Sequence, residues 1–478
     1  MDKGAAIRGA SWVALFTIIN RFILPFVGIF IAGRIGVPSF GLFALIAALY
    51  TIIEMFREAG LGTAYLADKD RSIERERTYT FLAVASGVVF ASSLFLCRNL
   101  IAEFMNAPEA AVPLAWCAGA MLVGSVGTIP GQKMQLNQRF RDAGFYDMLC
   151  NIIGYVVAIV CFLAGLKMMS LVFQMVVRIA LFTILMHRAE PVKYGRPNAK
   201  DALSILSVSV LNMTSNIAFT IYTMADYMLI SRVLGKEQNG IYASGYNLAN
   251  KPLDIIMGPL RQTALVKFAK TDSPIEFGRV YWRMISATLL IVMPVYALIA
   301  FHSGAIVRIL YPPDFAPVEG VLSVLCIYLG CRSLGIMAGA ALVTSGNARW
   351  NAFGWIPAYA VVIAMFAFRW GHFDLMYVVA TLTIGALCCY STYVLVTLRL
   401  FKPDAEMRQR LLRTIGIGVV SGAVTAGFAY LPMDNILALI GASVVAVGLH
   451  VMMTGWAFLN NGRALFSKSG AKQLIEAL

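Results

Sequence analysis

The chain has 478 residues, of which 59% are hydrophobic and only 13% charged, with a formal net charge of +14 and a mean hydropathy of +0.74. Soluble domains carry about 25% charged residues, so the composition excludes an ordinary globular enzyme and points to a polytopic α-helical membrane protein. The positive excess reads as topology and attraction to anionic inner-leaflet lipids, and not as a nucleic-acid surface.

About fourteen apolar segments follow one another, each about long enough to cross a ~30 Å hydrocarbon layer as a helix. They are centred near Phe22, Ala48, Val88, Gly119, Tyr155, Arg178, Phe219, Leu248, Leu290, Ser333, Tyr359, Leu382, Val420 and Val445. The first is interrupted by Asn20, Arg21 and Pro25 and is too long for a signal-peptide core, so it is expected to remain as a span. The second runs into IIEMFREAGLGTAYL (52–66), where Glu54, Arg57 and Glu58 place three charges within five positions. A charge at a bilayer centre costs about 2.5–3.5 kcal/mol on insertion scales, so this face is expected to look at something other than lipid. EFMNAPEA (103–110) reads as a short interfacial helix on the outer side. Further along, Arg178 lies in the sixth segment, Asp226 is the lone acid of the seventh, Lys251 and Asp254 share the eighth, and Arg332 lies in the tenth.

Loop charge sets the orientation. With a cytoplasmic N-terminus, 27 of the 39 Lys and Arg fall on the inner side, 7 outside, and 5 within spans; the opposite orientation would invert this bias. Both termini are therefore expected in the cytoplasm, with the tail from Asn460 to Leu478 as an inner-surface anchor. The eight cysteines show no CxxC and no framework spacing and read as small packing residues between helices. The four histidines have no metal-ligand spacing, and no Walker A, GxSxG or GxGxxG motif stands in a suitable context. No cofactor, no metal and no ATP hydrolysis are expected. The outer loops are short, so a membrane glycosyltransferase or polymerase has no ordered region in which to bind donor and acceptor. The chain is expected to move, gate or scaffold something rather than to catalyse.

An internal repeat supports this. AGRIGVPSFGLFAL (32–45) and SRVLGKEQNGIYAS (231–244) align Arg34 with Arg232, Gly41 with Gly240 and Phe43 with Tyr242, with one inserted residue. The offset is about six spans, an even number, so both copies insert the same way up, related by an axis along the membrane normal.

The stretch GRIGVPSFGLFALIAALYTIIEMFREAGLGTAYL resembles the opening block of bacterial polysaccharide transporters, the Wzx-type flippases. ADYMLISRVLGKEQNGIYASGYNLANKPLDIIMGPL resembles a second block of that family, and the likeness covers roughly residues 5–460. It departs after Pro259, where RQTALVKFAK stands in place of the family's usual Phe-Pro ending. The resemblance implies a branch of the superfamily that includes multidrug exporters and lipid II flippases. Its fold would comprise an N-terminal six-helix bundle (1–190), a C-terminal six-helix bundle (191–400) facing it across a central cavity, and two extra helices with a cytoplasmic tail (401–478). It also implies translocation of an undecaprenyl-diphosphate-linked oligosaccharide across the bacterial inner membrane by alternating access. The product would feed exopolysaccharide, O-antigen or capsule synthesis, with the pathway's polymerase and chain-length regulator as possible partners. The alternative is a cation-coupled multidrug or small-solute antiporter.

On that reading, fixed cations in an aqueous cavity would offset the desolvation of the diphosphate, each contributing on the order of 4 kcal/mol at ~4 Å and an effective dielectric of about 20. The candidates are Arg21 and Arg57, both read as lying midway along their spans, with Lys251, Arg332 and Arg178. Asp226, Glu54, Glu58 and Asp254 are ion-coupling or charge-pair candidates. A structural reading stands beside it: Glu54–Arg57 and Lys251–Asp254 are both i,i+3 pairs able to neutralise each other, and Arg178 and Arg332 read as charges near helix ends that snorkel to the interface.

Overall fold

The computed structural model describes residues 16, 19–20, 24–271, 273–368, 373–429 and 436–458, and among these all regular structure is helical. In chain order the helices are α1 (Leu24–Ile35), α2 (Val37–Glu58), α3 (Leu61–Ala67), α4 (Ile73–Phe104), α5 (Ala111–Leu136), α6 (Phe140–Leu163), α7 (Met169–Ala189) and the long α8 (Ala199–Ala269). Then follow α9 (Pro274–Phe301), α10 (Ser303–Leu310), α11 (Val318–Thr344), α12 (Ala348–Phe353), α13 (Ile356–Phe368), α14 (Leu375–Leu400), α15 (Ala405–Ala429) and α16 (Ile436–Phe458). Eight described helices are long and apolar enough to cross a membrane: α2, α4, α5 with the turn before it, α6, α7, α9, α11 and α14. Thirteen of the fourteen segment centres fall within helices; Phe22 and Arg21 lie outside the described residues.

Contacts divide the chain into two compact units, residues 1–243 and 244–478. In the first, a core of Leu45, Ile46, Leu114, Cys117, Met121 and Val172 locks α2, α5 and α7 together. Cys117 fills it as a small packing residue, and none of the eight cysteines is paired. In the second, Tyr281, Trp282, Leu325, Leu329, Ala341 and Cys389 are buried along α9, α11 and α14.

The chain breaks where glycine permits it. Gly36 ends α1 at φ 88°, ψ 157°, and Gly235 interrupts α8 at φ 87°, ψ 172°. A Cβ at either position would meet no atom within 4 Å, so the positive φ alone calls for glycine here. The two breaks are 199 residues apart, the repeat's own offset, so the inserted residue falls before the break.

At the C-terminal end of α2, Ala59 (φ 45°) and Gly60 (φ 73°) stop the helix and turn the chain into α3. Ser72 caps α4 by accepting from the Arg75 amide, and Glu74 and Glu76 favour the same helix terminus. EFMNAPEA is not an interfacial helix. Phe104 closes α4, Pro108–Ala110 forms a single 3₁₀ turn, and the buried Met105, Ala107 and Ala110 make it a packed connection.

Candidate functional site

Arg57 sits in the last turn of α2 and not midway along a span, because the helix ends at Glu58. It is 3% exposed. Its guanidinium grips Glu54 with two N–H donors, Nε to Oε2 at 2.8 Å and Nη2 to Oε1 at 2.5 Å. Nη1 donates to Thr128 Oγ1 of α5 at 3.1 Å. The i,i+3 spacing puts the two side chains on one helix face, and bidentate geometry makes this a strong charge-assisted pair. Glu58 points elsewhere: its Oε1 and the Gln132 Nε2 both lie 2.7 Å from where a Cβ of Gly62 would stand. Glycine at 62 is what lets this carboxylate and the amide of α5 converge over α3.

Arg178 lies in the middle of α7 and does not snorkel from a helix end. Its Nη2 donates to Asp147 Oδ1 of α6 at 3.0 Å, while its Nε is buried without a partner. Asp147 also accepts from Asn20 Nδ2 at 3.0 Å and from Asn151 Nδ2 at 3.2 Å.

Asp226 is 5% exposed and takes the hydroxyl of Tyr242 and the backbone amide of Tyr227, the latter at 2.8 Å. The rings of Tyr227 and Tyr242 meet edge to face at 5.3 Å.

In the second unit the cations have different neighbours. Among the described residues no carboxylate forms an ion pair with Lys251; Asp254 attracts it only from beyond that distance, and accepts instead from Asn250 Nδ2 at 2.8 Å. Arg332, mid-way along α11, donates Nη1 to Tyr246 Oη at 2.7 Å and lies in the fields of Tyr328 and Tyr390. The Tyr246 and Tyr328 rings are 6.5 Å apart. Lysine carries its charge on a flexible stem, whereas the planar arginine fork is held here by a phenol oxygen.

Ion pairs also cluster at the helix ends and in the loops. Asp68 accepts from Arg75 Nε (2.6 Å), Tyr79 Oη (2.9 Å) and the Asp70 amide. Burial pushes its carboxyl up, but these donors and the Arg75 charge outweigh that and hold it below the usual range. Arg139 bridges Asp142 and Glu190, and Arg279 pairs with Asp404 at 2.9 Å.

Sequence reasoning missed Asp147, Thr128, Gln132 and the tyrosines 242 and 246. Asp147 was findable as a single acid in the apolar run of the fifth segment. The hydroxyl and amide partners carried no sequence signal, since such residues are common in packed membrane helices.

A family profile described as "Polysaccharide biosynthesis protein" matches residues 34–318. The lipopolysaccharide biosynthesis protein WzxC of Escherichia coli is 23% identical over 71% of this chain and 70% of its own length. The amylovoran biosynthesis protein AmsL of Erwinia amylovora is 27% identical over 38% of this chain, and the match spans about half of its length (47%). Among solved structures, the lipid II flippase MurJ in an inward closed conformation superposes with a TM-score of 0.75 at 13% identity, covering 94% of this chain and 99% of that one. An inward-facing multidrug transporter of the MATE family gives a TM-score of 0.64 at 15% identity over 82% and 96%. These superpositions establish the fold.

Proposed function

Because the chain belongs to the polysaccharide biosynthesis protein family, we propose that it is a flippase carrying an undecaprenyl-diphosphate-linked oligosaccharide from the inner to the outer leaflet of the bacterial inner membrane. Both termini then face the cytoplasm, and a polymerase and a chain-length regulator act on the product. The division into 1–190, 191–400 and 401–478 belongs to this reading as the unit of repetition.

What supports the proposal is Lys251, a cation in the eighth apolar segment of the sequence that forms no ion pair among the described residues. Such a charge is costly unless something anionic uses it, and a diphosphate is anionic and hydrogen-bond accepting. Arg332, with its tyrosine neighbours, supplies a second donor. Arg57 holds the cavity wall through Glu54 and Thr128, and Arg178 acts with Asp147; Arg21 stays a candidate from its place in the first segment. Asp226, Glu58 and Asp254 are the acids available for ion coupling, while Glu54 serves as the partner of Arg57.

The test is a deletion strain complemented with variants. Deletion should trap lipid-linked repeat units on the cytoplasmic side, Lys251→Arg should release them and Lys251→Gln should not. Normal export of the polymer in the deletion strain, with export of cationic drugs lost, would instead establish the multidrug antiporter.

A further inference from the structure

The two repeat segments touch each other within the first unit. A Cβ on Gly41 would stand 1.8 Å from the Lys236 carbonyl oxygen and 2.5 Å from the Gly240 nitrogen, and one on Gly240 would stand 2.1 Å from the Val37 carbonyl oxygen. The two backbones therefore meet directly, as only glycine allows at both positions. Asn239 Nδ2 donates to the Gly41 carbonyl at 2.8 Å. Around this point Lys236 pairs with Glu109, Asn106 Nδ2 donates to the Arg232 carbonyl at 3.2 Å, and the Arg232 guanidinium lies 4.0 Å from the Phe104 ring centre. These residues lie in or beside the helix ends that charge bias assigns to the outer face.

The same short segment is tied to a buried acid. Tyr242, two residues beyond Gly240, gives its hydroxyl to Asp226, which the Tyr227 amide also holds. Tyr242 is 1% exposed, and its ring is braced edge to face by Tyr227. A shift of the Asn239–Tyr242 turn away from α2 has to carry Tyr242 with it.

We propose that the Gly41–Gly240 contact is the outer closure of the transport cycle, and that Asp226 is its positioning residue, acting through Tyr242. The inference rests on the transport reading above. Glycines meeting backbone to backbone have no side chains to disengage, and the fastenings around them are a few polar bonds and one cation–aromatic contact. The Tyr242–Asp226 bond holds the 239–242 segment in the position that meets α2.

The experiment reads the seam directly. Val37 is 4% exposed, and its Cγ1 lies 2.9 Å from where a Cβ of Gly240 would stand, so Val37→Cys places a near-isosteric thiol inside the closure. A membrane-impermeant maleimide is added outside intact cells, and labelling is scored as the increment over the parent without that thiol. With Val37→Cys alone, labelling should be slow. Tyr242→Phe should raise it about two- to tenfold, the range of one lost hydrogen bond. Asp226→Ala should match it, the double variant should add nothing further, and Asp226→Glu should return labelling toward the parent at equal membrane levels. Gly41→Ala should raise labelling most and abolish transport. Unchanged labelling in Tyr242→Phe, or labelling in Asp226→Glu as high as in Asp226→Ala, overturns the proposal.

As a second readout, Glu109→Cys with Lys236→Cys, bridged by a short reducible bis-methanethiosulfonate that spans the lost side chains, should block transport and recover on reduction; a pair that transports while bridged also overturns it. None of the labelling depends on cargo. A chain that labels as expected but releases no lipid-linked repeat units keeps the closure and sinks the proposed substrate.

Discussion

Arg57 in the first unit and Lys251 in the second occupy related helices of the repeat, yet their chemistry differs. Arg57 is spent: both faces of its fork are satisfied, two N–H donors by Glu54 and a third by Thr128. Lys251 forms no ion pair among the described residues, and Asp254, three residues on, accepts from Asn250. The spacing is i,i+3 in both, so spacing decides only which residues share a face; side-chain length and the neighbouring helix decide whether they neutralise each other. Arg57 is neutralised within its own helix and tied to α5 through Thr128, whereas Lys251 forms no ion pair among the described residues.

The largest effect expected from this comparison is on protein level. Arg57→Ala leaves Glu54 partly buried without its partner, at about 3 kcal/mol, the lower end for breaking a buried pair because Glu54 keeps some exposure. Membrane levels should fall, and Glu54→Gln with Arg57→Gln should restore them, as measured by immunoblot of membranes. Recovery of level without recovery of transport in that double variant would move Arg57 from the structural side of the comparison to the substrate side.

The next effect is on transport at constant level. Lys251→Gln should lower release of repeat units at least ~10-fold, the equivalent of about 1.4 kcal/mol, while Lys251→Arg keeps part of it. A Lys251→Gln chain that transports normally erases the contrast between the units.

Orientation sharpens the same comparison by placing both sites in depth. Reporter fusions after residues 72, 137, 195, 272 and 405 should report cytoplasm, and fusions near 108, 236, 312 and 434 the outer side. Positions 195 and 236 on one side would remove the repeat.

The smallest effect concerns the ion pairs at the helix ends. The Asp404 carboxyl is held below its usual value first by the Met407 amide and then by Arg279, so its pKa is lower folded than unfolded. Its contribution to stability is complete above the ordinary Asp value near 3.8 and fades as pH falls through the lower folded value. Asp404→Asn should thus lower the melting temperature slightly at pH 7 and not at all in strong acid, as thermal unfolding in detergent can measure. An equal loss at both pH values would mean that the cap geometry matters and the charge does not.

Much of the fold was legible in the sequence, because lipid imposes its demands residue by residue. Uninterrupted apolar runs name the spans, and loop lysines and arginines give the expected orientation. The repeat was readable from Arg34/Arg232, Gly41/Gly240 and Phe43/Tyr242, and the structure adds the matching breaks at Gly36 and Gly235, both at positive φ. The candidate site was legible only as a set of charges. Arg57 and Arg178 were singled out, but their depth was misjudged: Ala59 and Gly60 end α2 sooner than hydropathy suggested, and Arg178 lies mid-helix.

The sequence by itself determined the class of molecule, the helical segments, the repeat and the list of charges available at membrane depth, because each follows from the water-to-lipid cost of nearby residues. Only the tertiary structure decided which charges are used up. Asp147 reaches Arg178 across α6 and α7, Thr128 completes Arg57 from α5, Tyr246 reaches Arg332, and Gly41 meets Gly240 from 199 residues away. An ion pair or a backbone contact needs atoms within a few ångströms, and between residues far apart in the chain that distance is set by helix packing alone.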